Sequence, residues 1–420
     1  MTIPSSSLNN NASEQLAGFC ANLRFEDIPA DVIAHIKLSI LDGLGCCLVG
    51  STLPWTRKVR DMIDAEDAAP IASLLGSSDK VSLSGAILVN ATAGHAFELD
   101  DIHREAILHP NSIAVPVALN TAQFLGSASG KDILTAIIAG YEVGNRVGAA
   151  AGTDLLLRGF HPQGAVGPFC GAATASNMMR LNADKTRDAL GIAGSFGSGL
   201  MAAQEGAMVK RLHSGHAAEA GVRGALLAKR GFTGISDVVE AEYGGFLSTF
   251  SGGVNTERAT AGLGSTWETL ATGFKPHATV TSIHSALDAL GMIMRDNNLV
   301  VGDIAHIHAG VSHPTHVHCA WPYKAQSITA AQMNIYYGLA MIALFGVAFV
   351  QQFDADKISD PDVMAFTKCI TASVDPDIEA RGHAFRHMAR VRVETADGQT
   401  FEREVTHRRG SPENPISPAE

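Results

Sequence analysis

Cysteine and positive charge are both scarce in this chain, and each shortage excludes something. Only 6 of the 420 residues are cysteines. They stand at positions 20, 46, 47, 170, 319 and 369, with no C-x-x-C pair and no regular spacing. Neither a disulfide framework nor a thiolate zinc site is indicated, and a reducing, cytoplasmic setting is the simpler expectation. Lysine and arginine number 31 against 42 acidic residues, a formal net charge of -11. Nucleic acid and anionic membrane surfaces both need clustered positive charge, so neither is expected as a partner. An anionic substrate would have to find its cations locally. Residues 1–13 lack the basic and apolar regions of a secretory signal. Long apolar runs are also missing. Residues 325–352 carry no charged side chain, but Gln326, Thr329, Gln332 and Asn334 interrupt their first half. The purely apolar remainder is shorter than the ~20 residues that span a bilayer, so a buried central helix is expected there. No G-x-G-x-x-G follows a strand pattern, no Walker sequence occurs, and Gly194 to Gly199 is out of register for G-x-S-x-G. Nucleotide and serine-hydrolase readings therefore have little support.

What is present points to helices first and strands later. A chain of 420 residues exceeds one ordinary core and suggests two domains. Residues 31–48 carry Ile33, Ile36, Leu38, Ile40 and Leu41 at helical spacing, and 86–97, 112–125, 132–151, 167–179, 185–195, 217–230 and 280–295 continue the pattern. The 42 glycines break these helices into short pieces. After about residue 300 the period becomes two. Residues 304–311, 389–394 and 400–405 alternate like strands, with Asp397-Gly398 as a hairpin turn between the last two. The expected fold is mainly α with a smaller α+β domain. An all-helical body covers 1–268, an α+β domain 269–398, and 399–420 forms a segment leading back toward the body.

The chemistry concentrates between residues 94 and 112. Gly94-His95-Ala96-Phe97-Glu98-Leu99-Asp100-Asp101-Ile102-His103, followed by His109-Pro110-Asn111-Ser112, gathers carboxylates and imidazoles directly after an Ala-rich run. Proton donors and acceptors thus stand where core residues are expected, the composition of an acid/base site. Asp100 and Asp101 are adjacent, so on a helix they would point about 100° apart and only one would face a given substrate atom. The alternative for these acids is an N-cap plus solvated charge. His109 precedes Pro110, which disfavours helix and puts the imidazole at a turn. His161 lies in a Gly/Pro-rich stretch, 159–168, expected as a loop. Lys210 and Arg211 stand among apolar and small neighbours, where a cation either snorkels at a rim or anchors a carboxylate. His306, His308, His313, His316 and His318 allow an imidazole metal site geometrically, against the larger expectation of histidines near a pocket mouth.

Four blocks in order resemble the MmgE/PrpD family, which includes 2-methylcitrate dehydratase, cis-aconitate decarboxylase and iminodisuccinate epimerase. The first is the 94–112 segment. The second is Phe160-His161-Pro162-Gln163-Gly164 with Gly167, the third Lys210-Arg211-Leu212-His213-Ser214-Gly215-His216-Ala217-Ala218, and the fourth Lys275-Pro276-His277 through His284-Ser285-Ala286-Leu287-Asp288. The chain departs from the family pattern at Glu98, where an Asp is usual, at Ile102 for Thr, at His277 for Tyr and at Thr281 for Arg. Arg409-Gly410-Ser411-Pro412-Glu413-Asn414-Pro415 is similar to a family turn that normally runs into a further helix, so that helix is expected to be missing.

The resemblance implies a helical body with the smaller domain as a lid, a homodimer, no cofactor and no metal. It implies a lyase acting on a small polycarboxylate, by decarboxylation of a cis-aconitate-like acid or dehydration of a 2-methylcitrate-like one. An epimerase or isomerase of a dicarboxylate such as iminodisuccinate is the same-fold alternative, and a non-catalytic binding protein a further one. The catalytic candidates are His109, His161, Asp100, Asp101 and Lys210. The substrate-binding candidates are Glu98, His103, Lys210, Arg211, His213, Lys275, His277 and His284. The Ala- and Gly-rich faces at 136–151 and 217–227 are expected to be exposed and to form the dimer contact.

Overall fold

The computed structural model describes residues 11–419, which divide into two compact units, one helical and one mixed. The first takes the chain up to Ala96, then His103–Met201 and Arg211–Ala271; the second takes Phe97–Ile102, Ala202–Lys210 and the chain from Thr272 onward. Two short segments, 97–102 and 202–210, thus belong to the second unit although the sequence around them belongs to the first. The last crossing between the units falls between Ala271 and Thr272. Neither short excursion carries a period of its own that would assign it from the sequence.

The first unit holds α1 (Ala12–Asn22), α2 (Ala30–Ser51), α3 (Pro54–Asp64), α4 (Leu83–Gly94), α5 (Asn111–Leu125), α6 (Gly130–Leu157), α7 (Pro162–Met178), α8 (Ala183–Gly194), most of α9 (Val209–Lys229), and the short α10 (Phe246–Phe250) and α11 (Thr256–Thr260). Their starts follow ordinary capping chemistry. Ser82, Ser129 and Asn182 accept from backbone N–H groups in the first turns of α4, α6 and α8, satisfying donors that a helix start leaves open. The long α6 breaks at Gly152, whose φ of 62° is outside the helical range.

Small residues let these helices approach closely. A Cβ on Gly140 of α6 would stand 2.0 Å from Thr174 Oγ1, and one on Gly221 of α9 2.5 Å from the backbone N of Ala172 on α7. Ala136, Ala139, Ala217, Ala218 and Ala225 are fully buried in the same core. The expectation that 136–151 and 217–227 are exposed faces is therefore overturned, since these faces are consumed by packing inside the unit. A sequence shows that a face is small-sided but not what lies against it.

The second unit is built on a mixed four-stranded sheet. Strand 304–311 sits between 370–374, parallel to it, and 389–395, antiparallel, and 400–405 pairs with 389–395 as an edge. Ile307, Ala309, Val311, Val391 and Val393 are buried while His306, His308, Arg390, Arg392 and Glu402 alternate with them, the period that one covered face imposes. Helix α12 (His284–Asp296) contacts the two antiparallel strands. Residues 399–420, expected to lead back to the helical body, instead belong to this unit and supply its edge strand.

The apolar stretch at 325–352 is not one helix. It forms α14 (Ile328–Met333) and α15 (Ile335–Phe345) after α13 (His313–Cys319). Asn334 separates them, its side chain accepting from the N–H groups of Tyr336 and Tyr337 and so capping the second. Among the described residues one helix, α2, is by length and composition long and apolar enough to cross a membrane.

Candidate active site

In the first unit the helix ends bring four imidazoles into a row. His95 follows the last turn of α4, His109 immediately precedes Pro110 and α5, His161 is the N-cap of α7, and His213 lies in the first turns of α9. The ring centroids are 5.0 Å apart for His95 and His109, 5.6 Å for His95 and His161, and 5.1 Å for His161 and His213. Nδ1 of His161 lies 2.9 Å from Nδ1 of His213. The stretch expected as a loop through Pro168 is helical from Pro162, because proline suits a helix's first position and Pro168 is accommodated within it.

Gln163, which no motif reading singled out, fixes His109. Its Oε1 accepts from the His109 backbone N–H at 2.9 Å, while its Nε2 donates to the His109 carbonyl at 3.2 Å and to Ser112 Oγ and Ser214 Oγ at 3.0 Å each. A glutamine with both ends committed clamps a backbone on either side. The sequence signal was its place directly after His161-Pro162. Arg211 is fully buried and donates to the carbonyl of His95 at 3.3 Å.

His103 is placed outside this row. Its Nε2 meets Glu268 Oε2 at 2.9 Å and its Nδ1 accepts from the N–H of Ala106 at 3.1 Å, so one ring nitrogen serves the turn that ends at Leu108 and the other pairs with a carboxylate distant in sequence. Burial pushes the Glu268 carboxyl up. Hydrogen bonds from His103 and Arg258 outweigh it and hold the group well below the usual carboxylate range.

In the second unit a buried carboxylate joins two buried cations. Glu98 accepts from Lys210 Nζ through Oε1 and from Lys275 Nζ through Oε2, the latter at 3.3 Å, and Asp100 Oδ1 lies 3.7 Å from Lys275. Glu98 and Asp100 are 2% and 0% exposed, so the charges compensate one another out of water. The 97–102 segment is not helical, which removes the 100° argument for Asp100 and Asp101; both are buried. The segment is held by Gln332 Nε2, which donates to the Phe97 carbonyl at 2.7 Å, and by the Phe97 ring, edge-on to Phe353. Glu98 itself has φ 55°, a left-handed conformation that non-glycine residues rarely adopt.

The remaining candidates of this unit divide. His277 Nε2 lies 3.0 Å from Asp288 Oδ1, whose other oxygen accepts from the N–H of Arg409 at 2.9 Å. The turn at 409–415 thus orients the Lys275 to His277 segment, helped by Arg408, which donates to the Phe274 carbonyl at 2.6 Å. His284 is fully buried with Nε2 on the Thr279 carbonyl at 3.2 Å. Burial, with His277, Arg408 and Lys275 adding to it, keeps His284 well below the ordinary imidazole range and therefore neutral.

The five histidines from 306 to 318 do not share one role. His306 and His308 meet the hydroxyls of Thr371 and Ser373 across the sheet, whereas His318 is partly buried, and desolvation of its ring together with the nearby Lys210 pushes it down to about 4.

Residues 14–259 match the MmgE/PrpD N-terminal domain and residues 277–420 the MmgE/PrpD C-terminal domain. The chain is 34% identical to the cis-aconitate decarboxylase-like protein oryM of Aspergillus oryzae, over 98% of this chain and 89% of that protein. It is 32% identical to the cis-aconitate decarboxylase of Aspergillus terreus, over 95% and 86%. It is also 32% identical to the human cis-aconitate decarboxylase, over 57% and 51%. With both domain models matched in order along nearly all of its length, the chain belongs to the MmgE/PrpD family.

Proposed function

We propose that the protein is a lyase that decarboxylates a cis-aconitate-like polycarboxylate by acid/base chemistry, with no resident cofactor. The observation that carries the reading is the buried pair Lys210 and Lys275 on Glu98, local cations in an otherwise acidic chain. Support comes from relatives named cis-aconitate decarboxylase and, for the Aspergillus oryzae protein, cis-aconitate decarboxylase-like.

In such a reaction the carbon–carbon bond to one carboxylate breaks, carbon dioxide leaves, and the electron pair spreads toward the remaining carboxylates. One proton then adds at carbon. Cations on the retained carboxylates stabilise that negative charge as it develops, which is the role assigned to Lys210 and Lys275. Proton delivery is assigned to His161, with His109 as the second imidazole held in fixed geometry. Asp100 and Glu98 keep the lysines positioned and charged.

The test is to incubate the protein separately with cis-aconitate, 2-methylcitrate and iminodisuccinate and to follow each by proton NMR. Conversion of cis-aconitate alone to an unsaturated dicarboxylate, with release of carbon dioxide, is the expected result. Dehydration of 2-methylcitrate, or epimerisation of iminodisuccinate with nothing released, would replace the decarboxylase reading.

A further inference from the structure

We propose that His213 is a positioning residue that fixes the tautomer and ring orientation of His161, rather than a contact for substrate. The Nδ1 atoms of the two rings are 2.9 Å apart, a separation that requires one ring to donate and the other to accept. Nδ1 of His161 is thereby committed to its neighbour, and proton transfer by His161 runs through Nε2.

The surrounding backbone holds both rings in place. The His161 N–H donates to the Gly199 carbonyl at 3.0 Å, and the His161 carbonyl accepts from Gly164 and Ala165 at 3.0 Å each as α7 begins. Gly199 also borders the other ring. A Cβ there would lie 3.2 Å from His213 Nδ1, and its φ of 122° is one that side chains rarely adopt. Phe160 and Leu200 pair across this turn, so one short piece of backbone sets the positions of both imidazoles. His95 flanks His161 on another side at 5.6 Å between ring centres.

The direction of the hydrogen bond follows from the proposed reaction, on which this part of the inference rests. An acid that protonates carbon through Nε2 must carry its proton there, so His213 Nδ1–H donates to His161 Nδ1. If His213 enters the step as imidazolium, transfer of the His161 Nε2 proton to carbon is balanced by movement of the shared proton from His213 to His161. Both rings end neutral, and the carbanion's electron pair forms the new C–H bond. A solvent proton on His161 Nε2, with the shared proton returning to His213, restores the starting state. An imidazole whose second nitrogen is held by a partner has its tautomer set by that partner.

The test compares the wild type with His213→Phe, which keeps a ring of similar size but no donor, and His213→Asn, whose amide can still donate near the Nδ1 position. The first readout is the nitrogen NMR spectrum of protein labelled at histidine, with His161 signals assigned from a His161→Gln variant. His161 is expected as the Nε2–H tautomer in the wild type and in His213→Asn, and as a mixture in His213→Phe. The second readout is turnover of cis-aconitate. His213→Phe should lower kcat by about 10- to 100-fold with KM changed by less than about 3-fold, and His213→Asn should recover a large part of the loss.

Unchanged His161 signals in His213→Phe, or a wild-type His161 protonated at Nδ1, would overturn the proposal. A raised KM at constant kcat would also overturn it and make His213 a substrate contact. If the wild type fails to convert cis-aconitate while the His161 tautomer still depends on His213, the reaction reading fails and the positioning role stands.

Discussion

Glu98 combines a left-handed backbone with a carboxylate that two buried lysines share. Strain of this kind, of order 1–3 kcal/mol, persists only where the surroundings determine it. Lys210 and Lys275 provide that determination, and removing one leaves an uncompensated carboxylate out of water. Lys275→Met is therefore expected to lower stability by roughly 1–3 kcal/mol, and Glu98→Gln added to that variant should recover part of the loss. Thermal melts of the two single variants and the double variant check this, with simple additivity as the contrary result. At His161 the expectation concerns rate. His161→Ala should lower turnover of cis-aconitate by ~10²-fold or more with the melting temperature little changed. Near-normal turnover would remove His161 from the chemistry. Most of these residues were legible in the sequence because several imidazoles and carboxylates at chain breaks are costly unless used. Gln163 was not, since a buried amide between backbone groups leaves no periodic or charge signature. His103 and His284 are substrate-binding candidates in the sequence, yet both ring nitrogens of His103 and the Nε2 of His284 are engaged by Glu268, Ala106 and Thr279, and only tertiary placement shows such partners.

Helix contacts in the first unit depend on missing side chains. At Gly140 a methyl group would meet Thr174 Oγ1 at 2.0 Å and the Cys170 carbonyl at 2.9 Å, so the α6 and α7 axes would have to move. Gly140→Ala is expected to cost about 1–3 kcal/mol although alanine is the better helix former. A denaturant midpoint equal to the wild type's would contradict the close approach. The periodic pattern located the long helices well, and it located strands 304–311 and 400–405 at their observed ends, because a helical stripe or a strict alternation spans many residues. It missed strand 370–374, which pairs in parallel along one side of 304–311 and shows weak alternation. It also fused α14 and α15 across Asn334, since a capping asparagine inside an apolar run resembles an interruption of one helix rather than the start of another.

At the scale of the whole molecule, pH dependence follows from the buried groups of the second unit. His318 faces Lys210, Glu98 and Arg386, and its burial first, then Lys210, moves it from 6.5 to about 4. The folded state thus keeps the ring neutral where the unfolded chain would protonate it. Stability from this group is present above pH 6.5 and is lost as pH falls from there toward 4, by roughly 3 kcal/mol in total. His318→Gln should flatten the acid side of the stability profile over that interval, and an unchanged profile would count against the assignment. The change of period near residue 300 suggests two domains, but nothing in it marks the excursions 97–102 and 202–210. Those excursions carry Glu98, Asp100, Asp101 and Lys210 into the second unit, whereas His95, His109 and His161 stay in the first. The central claim, decarboxylation completed by protonation at carbon, is tested most directly by running the reaction with cis-aconitate in deuterium oxide and analysing the product by NMR and mass spectrometry. One carbon dioxide released per substrate, with a single deuterium fixed at carbon, is the predicted result. Consumption of cis-aconitate without carbon dioxide, or no consumption at all, would contradict it.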